Sequence, residues 1–67
     1  MKKILLPELS LKYCYCFSIS NLGPFEINEI IFAYDGNDYI AWLSVEEIDE
    51  ANDSAYAVIV GSSYSGE

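Results

Sequence analysis

The sequence predicts a small α+β domain, an antiparallel sheet of three to four strands carrying one short acidic helix, in the order β-β-β-α-β. Three stretches carry this expectation. LKYCYCFSIS, Leu11 to Ser20, alternates with the period of two that a half-buried strand requires. EIIFAYDGNDYIAWLS sets two β-rich runs about Asp35-Gly36-Asn37-Asp38, and Asp-Gly between such runs signals a hairpin turn. SVEEIDEANDS, Ser44 to Ser54, opens with the pattern of a helix N-terminus.

Taken in order, the opening MKKILLPELS resembles a secretory leader only at its lysines and at Ile4, Leu5 and Leu6. Pro7 and Glu8 interrupt that run and no small-residue cleavage pattern follows, so targeting is rejected and residues 1–10 are expected as a plain N-terminal segment. In the first strand, Leu11, Tyr13, Tyr15, Phe17 and Ile19 are expected on the core face. Cys14 and Cys16 share the other parity, too close along the chain for an unstrained bridge, and are expected as buried, reduced thiols. Asn21-Leu22-Gly23-Pro24 ends the strand.

Residues 25–35 stand open between two structures. Ile27, Ile30, Ile31 and Tyr34 fit helical spacing with Gly36 as a C-cap, whereas three isoleucines and two aromatics favour a strand pairing with Tyr39 to Leu43. For the following stretch Ser44 is the expected N-cap, Glu47 its capping-box partner, and Leu43 with Ile48 a hydrophobic staple. Val45, Ile48 and Ala51 or Asn52 would then face inward, leaving Glu46, Glu47, Asp49, Glu50 and Asp53 toward solvent. Ala55 to Val60 reads as a last strand, and residues 61–67 as a polar tail expected to fray. A single domain spans 1–67.

Composition limits the chemistry. Among 67 residues there is neither histidine nor arginine, so histidine-dependent nucleophile triads and guanidinium clamps for phosphate are excluded. A metal site would need soft ligands beyond Cys14 and Cys16. A calcium loop starting at Asp35 fails at Tyr39 and at Ile40, where glycine is required. Asn52-Asp53-Ser54 is a formal glycosylation sequon, inert without secretion. No catalytic, cofactor-binding or metal-binding residue is assigned, and no enzymatic activity is expected. No apolar stretch is long enough to suggest a membrane span, so the expected location is the cytoplasm.

Charge is the informative feature. The formal net charge is −8, yet residues 1–24 hold three lysines and one acid, whereas ten acids and no base follow from Phe25 onward. Such asymmetry points to an electrostatic partner, and its sign opposes direct binding to nucleic acid. On a helix, Glu50 and Asp53 would stand at i, i+3 or i, i+4 from other acids. Several like-charge pairs of that kind cost roughly 1 kcal/mol, which a basic partner surface would relieve. The expected contact set is Glu46, Glu47, Asp49, Glu50 and Asp53, joined by Asp35 and Asp38 of the turn and by Tyr34 and Tyr39 beside it as aromatic anchors.

A short, acidic, tyrosine-rich domain with EEIDE at Glu46 to Glu50 and no catalytic equipment resembles, in overall character, the small phage-encoded anti-defence proteins that inhibit CRISPR and restriction systems. The resemblance implies a stoichiometric inhibitor that covers a basic nucleic-acid channel of a host nuclease complex, acting in the host cytoplasm. Two rivals stay open. One is an immunity or antitoxin-like protein that neutralises a basic nuclease toxin. The other is a homo-oligomeric assembly module driven by the two-faced apolar strands IIFAY and YIAWLS.

Overall fold

Backbone groups in runs rich in isoleucine, valine, tyrosine and alanine find their partners on one another, and most of this chain is extended. The computed structural model describes residues 2–64. Five strands form: β1 (Lys2–Leu5), β2 (Cys14–Ser18), β3 (Ile30–Tyr34), β4 (Tyr39–Asp49) and β5 (Ser54–Tyr64). They make one curled sheet in the order β1-β3-β4-β5-β2, with β1 parallel to β3 and every other pairing antiparallel. Helical structure is confined to a four-residue turn, α1 (Ile19–Leu22), and to 3-10 turns at Leu9–Leu11 and Glu50–Asn52.

The expected α+β fold is therefore overturned. Ser44 to Asp49, the expected helix, continues β4 and pairs with Val58 to Ser54 of β5. The capping pattern at Ser44 and Glu47 is present in the sequence, but pairing on both sides wins: Ser44 is flanked by Ile30 and Val58, and Val45 exchanges backbone bonds with Asn28 and Glu29. A β-bulge between Val45 and Glu47 absorbs Glu46. The N-terminal segment is also more than a lead-in, because Lys2–Leu5 is the parallel edge strand. Residues 61–64, expected as tail, extend β5, whereas 65–67 lie outside the described residues. The open choice at residues 25–35 resolves to strand only over Ile30–Tyr34, with residues 25–29 in a loop and turn and Gly36 at φ 89 in the hairpin turn.

One face of the sheet is the core. Ala33, Ala41, Ala55 and Ala57 lie buried along its middle strands, and their small side chains let the sheet curl around larger ones at its rim. Leu9, fully buried, plugs the concave side from the first 3-10 turn, and Phe25 stacks on Phe17 at 6.0 Å between ring centroids. Lys2 holds the loop that carries Phe25. Its Nζ donates to the Pro24 carbonyl at 2.7 Å and pairs with Glu29 Oε2 at 3.2 Å, lying 5.1 Å from the Phe25 ring centre.

Two expectations about the first strand are corrected. Tyr15 and Phe17 are buried as read, but Leu11 and Tyr13 are 81% and 80% exposed, because β2 starts only at Cys14 and the preceding residues belong to a turn and its exit. Cys14 and Cys16 are exposed free thiols on the outward face of an edge strand, not buried. Among the described residues, no helix is long and apolar enough to cross a membrane.

Candidate functional site

The nine residues read from sequence as a contact set occupy the two ends of β4. Eleven extended residues span about 33 Å, so the length of β4 sets its two ends well apart. At one end Tyr34, Asp35, Asp38 and Tyr39 surround the β3–β4 turn. At the other, Glu46, Glu47, Asp49, Glu50 and Asp53 surround the β4–β5 connection. They are two clusters, not one face of a helix.

Several of these carboxylates have work within the fold. Asp35 Oδ1 accepts the Asn37 N–H at 2.8 Å and the Tyr39 N–H at 3.3 Å, which closes the hairpin turn. Asp49 caps the second 3-10 turn, taking the Asn52 N–H at 3.3 Å on Oδ1 and the Asn52 side-chain amide at 2.7 Å on Oδ2. Asp53 holds α1 against the hairpin end. Its Oδ2 accepts the hydroxyls of Ser20 at 2.7 Å and Ser18 at 2.8 Å, and its Oδ1 the Ser20 N–H at 2.9 Å. The Ser20 hydroxyl, then that of Ser18, draw the Asp53 carboxyl below its ordinary value, with the Ser20 N–H adding to them and a little desolvation opposing.

Glu46, Glu47 and Glu50 differ. All three are exposed, and among the described residues none of their carboxylates makes a hydrogen bond or ion pair. The bulge is the reason Glu46 and Glu47, adjacent in sequence, both reach solvent. Glu47 stands opposite Tyr56 on the outward face, and Asp49 follows it on that same face opposite Ser54. Extension also removes the helical like-charge contacts expected from sequence, since i, i+3 and i, i+4 neighbours no longer meet on one surface.

Glu29 is one of the acids that sequence reasoning left without a role. Burial alone would raise its carboxyl, but the Glu26 N–H at 2.9 Å and the Lys2 ammonium together outweigh that and lower it. Only their proximity across the parallel β1–β3 pair, which no local pattern announces, could have revealed this ion pair.

The outward face of the sheet forms a second surface. Phe32 and Trp42 meet edge-to-face at 6.2 Å, and Trp42 lies over Gly61, where a Cβ would come within 3.3 Å of its ring. Ile30 and Tyr34 flank Phe32 along β3, Val58 and Tyr56 continue the same face further along β5, and no element of the described chain covers them. The signal was legible, since β3 and β4 are apolar at both parities.

A cavity of about 370 Å³ opens elsewhere, between Leu6, Pro7, Glu8, Lys12 and Tyr15. The Tyr15 hydroxyl donates to the Glu8 carbonyl at 3.2 Å, and burial foremost, with the negative charge of Glu8 and then Tyr39, raises its phenol. None of the nine expected contact residues lines it. Among the described residues no group of three or more His, Cys, Asp or Glu side chains is placed to hold a metal ion. In comparisons with protein-family models, with curated proteins and with solved structures, nothing matches this chain.

Proposed function

We propose that this protein is a stoichiometric binder of a basic protein surface, and that it inhibits a nucleic-acid-handling complex, a nuclease of a CRISPR or restriction system being the leading target, by occupying the channel that takes nucleic acid. One observation supports this above the others: the carboxylates of Glu46, Glu47 and Glu50 share the end of the β4–β5 hairpin with no side-chain partner among the described residues. A concentrated negative end on a protein of net charge −8 accelerates encounter with a lysine- and arginine-lined groove and weakens as salt screens it.

The contact set narrows accordingly. Asp49 and Asp53 shape the hairpin end, Asp35 shapes the opposite turn, and the three unpartnered glutamates meet the partner. A basic nuclease toxin would be bound by the same physics, so the identity of the captured protein separates inhibitor from antitoxin.

The test is affinity capture from bacterial lysate at low and high salt, with mass spectrometry, beside a variant carrying Glu46→Lys, Glu47→Lys and Glu50→Lys. The expected outcome is a basic nucleic-acid-binding protein retained by the wild type, released by salt and absent from the folded variant. It should also lose nuclease activity when the wild-type protein is added at equal molar amount. Equal capture by the reversed variant would overturn the proposal.

A further inference from the structure

β3 and β4 are apolar on both faces, the pattern of strands that are covered on both sides, yet the described residues cover only one. The concave face has Leu9 and Phe25. The outward face presents Ile30, Phe32, Trp42, Tyr56 and Val58 in adjoining rows, with Ile30 38% and Tyr56 40% exposed.

What borders this apolar area decides what fits it. Along β4 the outward row runs from Ile40 and Trp42 through Ser44 to Glu47 and Asp49, so the apolar stretch passes directly into the anionic hairpin end. At the far end the turn carrying Asp35 and Asp38 adds negative charge. A second copy of this chain would bring another −8 to the same surface. Lys3, in register with Phe32 on the edge strand, sets one positive charge at the side of this area, but an occupant that is apolar in the middle and basic at its ends meets the opposite sign at both ends of β4.

We infer that the outward sheet face is a docking platform for an amphipathic, basic helix of a partner protein, whose apolar stripe covers Phe32 and Trp42 while its lysines or arginines reach Glu46 and Glu47. The distance from Ile40 to Glu47, about 20 Å along the strand, matches some 14 residues of helix at 1.5 Å each. This rests on the proposed cationic partner and specifies its form: a helix laid on a sheet, supplying the missing second layer, instead of a charged groove that touches the hairpin tip alone.

Trp42 is the single tryptophan and reports on the platform directly. The probe is an 18-residue tryptophan-free peptide of leucine and lysine at helical spacing, titrated into the full chain, with a shuffled peptide of equal composition as control. The expected result is saturable one-to-one binding of the amphipathic peptide, a blue shift of Trp42 emission, and an affinity that falls as salt rises. Ile30→Ser and Val58→Ser, each checked for retained strand signal by circular dichroism, should each weaken binding by roughly tenfold.

Binding that leaves Trp42 emission unchanged and ignores both serine variants, but vanishes on reversal of Glu46, Glu47 and Glu50, would overturn the platform and leave the charge-based function standing. Binding that survives that reversal but fails in the serine variants would support the apolar platform while overturning the contacts to Glu46 and Glu47 and, with them, the charge-based function. A Trp42 shift produced by neutral phosphatidylcholine vesicles and not by the peptide, or a dimer in sedimentation whose formation buries Trp42 and excludes the peptide, would also overturn it.

Discussion

Asp53 sits in left-handed backbone, φ 54, with both carboxylate oxygens bonded to Ser18 and Ser20. From the sequence it read as one more anion on a solvent face; only the return of β2 beside β5 reveals its serine partners, 33 and 35 residues away. Its depressed pKa fixes the sign of a pH effect. The ionised form is favoured by folding, so the stability it contributes is complete above its ordinary value of 3.8 and is lost as pH falls below that through the folded value. Asp53→Asn should therefore lower the urea midpoint near neutrality, and its difference from wild type should shrink progressively in a titration from about pH 6 to pH 2. A difference that stays constant across that range would show that the carboxylate charge is not what holds α1. The two cysteines give a second residue-scale test. Exposed on an edge strand, Cys14 and Cys16 should both react with a thiol reagent such as dithionitrobenzoate in the absence of denaturant, at rates close to those of the unfolded chain. Their alternation with Tyr15 and Phe17, and the inward parity of those two rings, were legible; that the cysteine face of the strand lies open was not, because cysteine packs readily wherever a second layer covers it.

At the scale of elements, β4 carries the main lesson. The hairpin about Gly36 was legible because Asp-Gly turn chemistry is local, whereas the strand character of Ser44 to Asp49 depends on β5, whose partner residues lie 5 to 14 positions further on. Local signals at Ser44 and Glu47 favoured a helix and were overridden by pairing on both sides. The two conformations make opposite predictions for Glu47, which stands opposite Tyr56. In a strand, Glu47→Thr should raise stability by about 0.5 kcal/mol, read from urea unfolding, because a β-branched residue packs better beside an aromatic one. In a helix the same change would remove a capping partner and a better helix former, and stability would fall. The Leu9–Leu11 turn was invisible to any pattern, since one buried leucine after Pro7 and Glu8 has no periodicity. It is nevertheless the plug of the concave face: Leu9→Ala should cost about 2–5 kcal/mol, enough to leave much of a small domain unfolded at room temperature.

For the whole molecule, the division of charge was fully legible and its distribution in space was not. Ten acids after Phe25 meet no base in their own half, but the parallel placement of β1 beside β3 brings Lys2 to Glu29, and the length of β4 separates the remaining acids into two ends. The outward apolar face was visible as two-sided strands, yet only the sheet order shows that it stays uncovered. The crowded hairpin end implies a test on the isolated protein. With Lys2–Glu29 the one ion pair among the described residues, a folded chain of net charge −8 repels itself more than its expanded unfolded form does. Raising sodium chloride from about 0.02 M to 0.5 M, which shortens the screening length from tens of ångströms to a few, should raise the urea midpoint at neutral pH. Reversing Glu46, Glu47 and Glu50 to lysine takes the net charge from −8 to −2, so the variant should be at least as stable as wild type in low salt and gain less from added salt. That result would mean the three carboxylates oppose folding of the free protein, as expected of groups whose favourable contacts lie on another molecule. A reversed variant that is clearly less stable in low salt would assign them a structural role instead and remove the physical basis for a cationic partner.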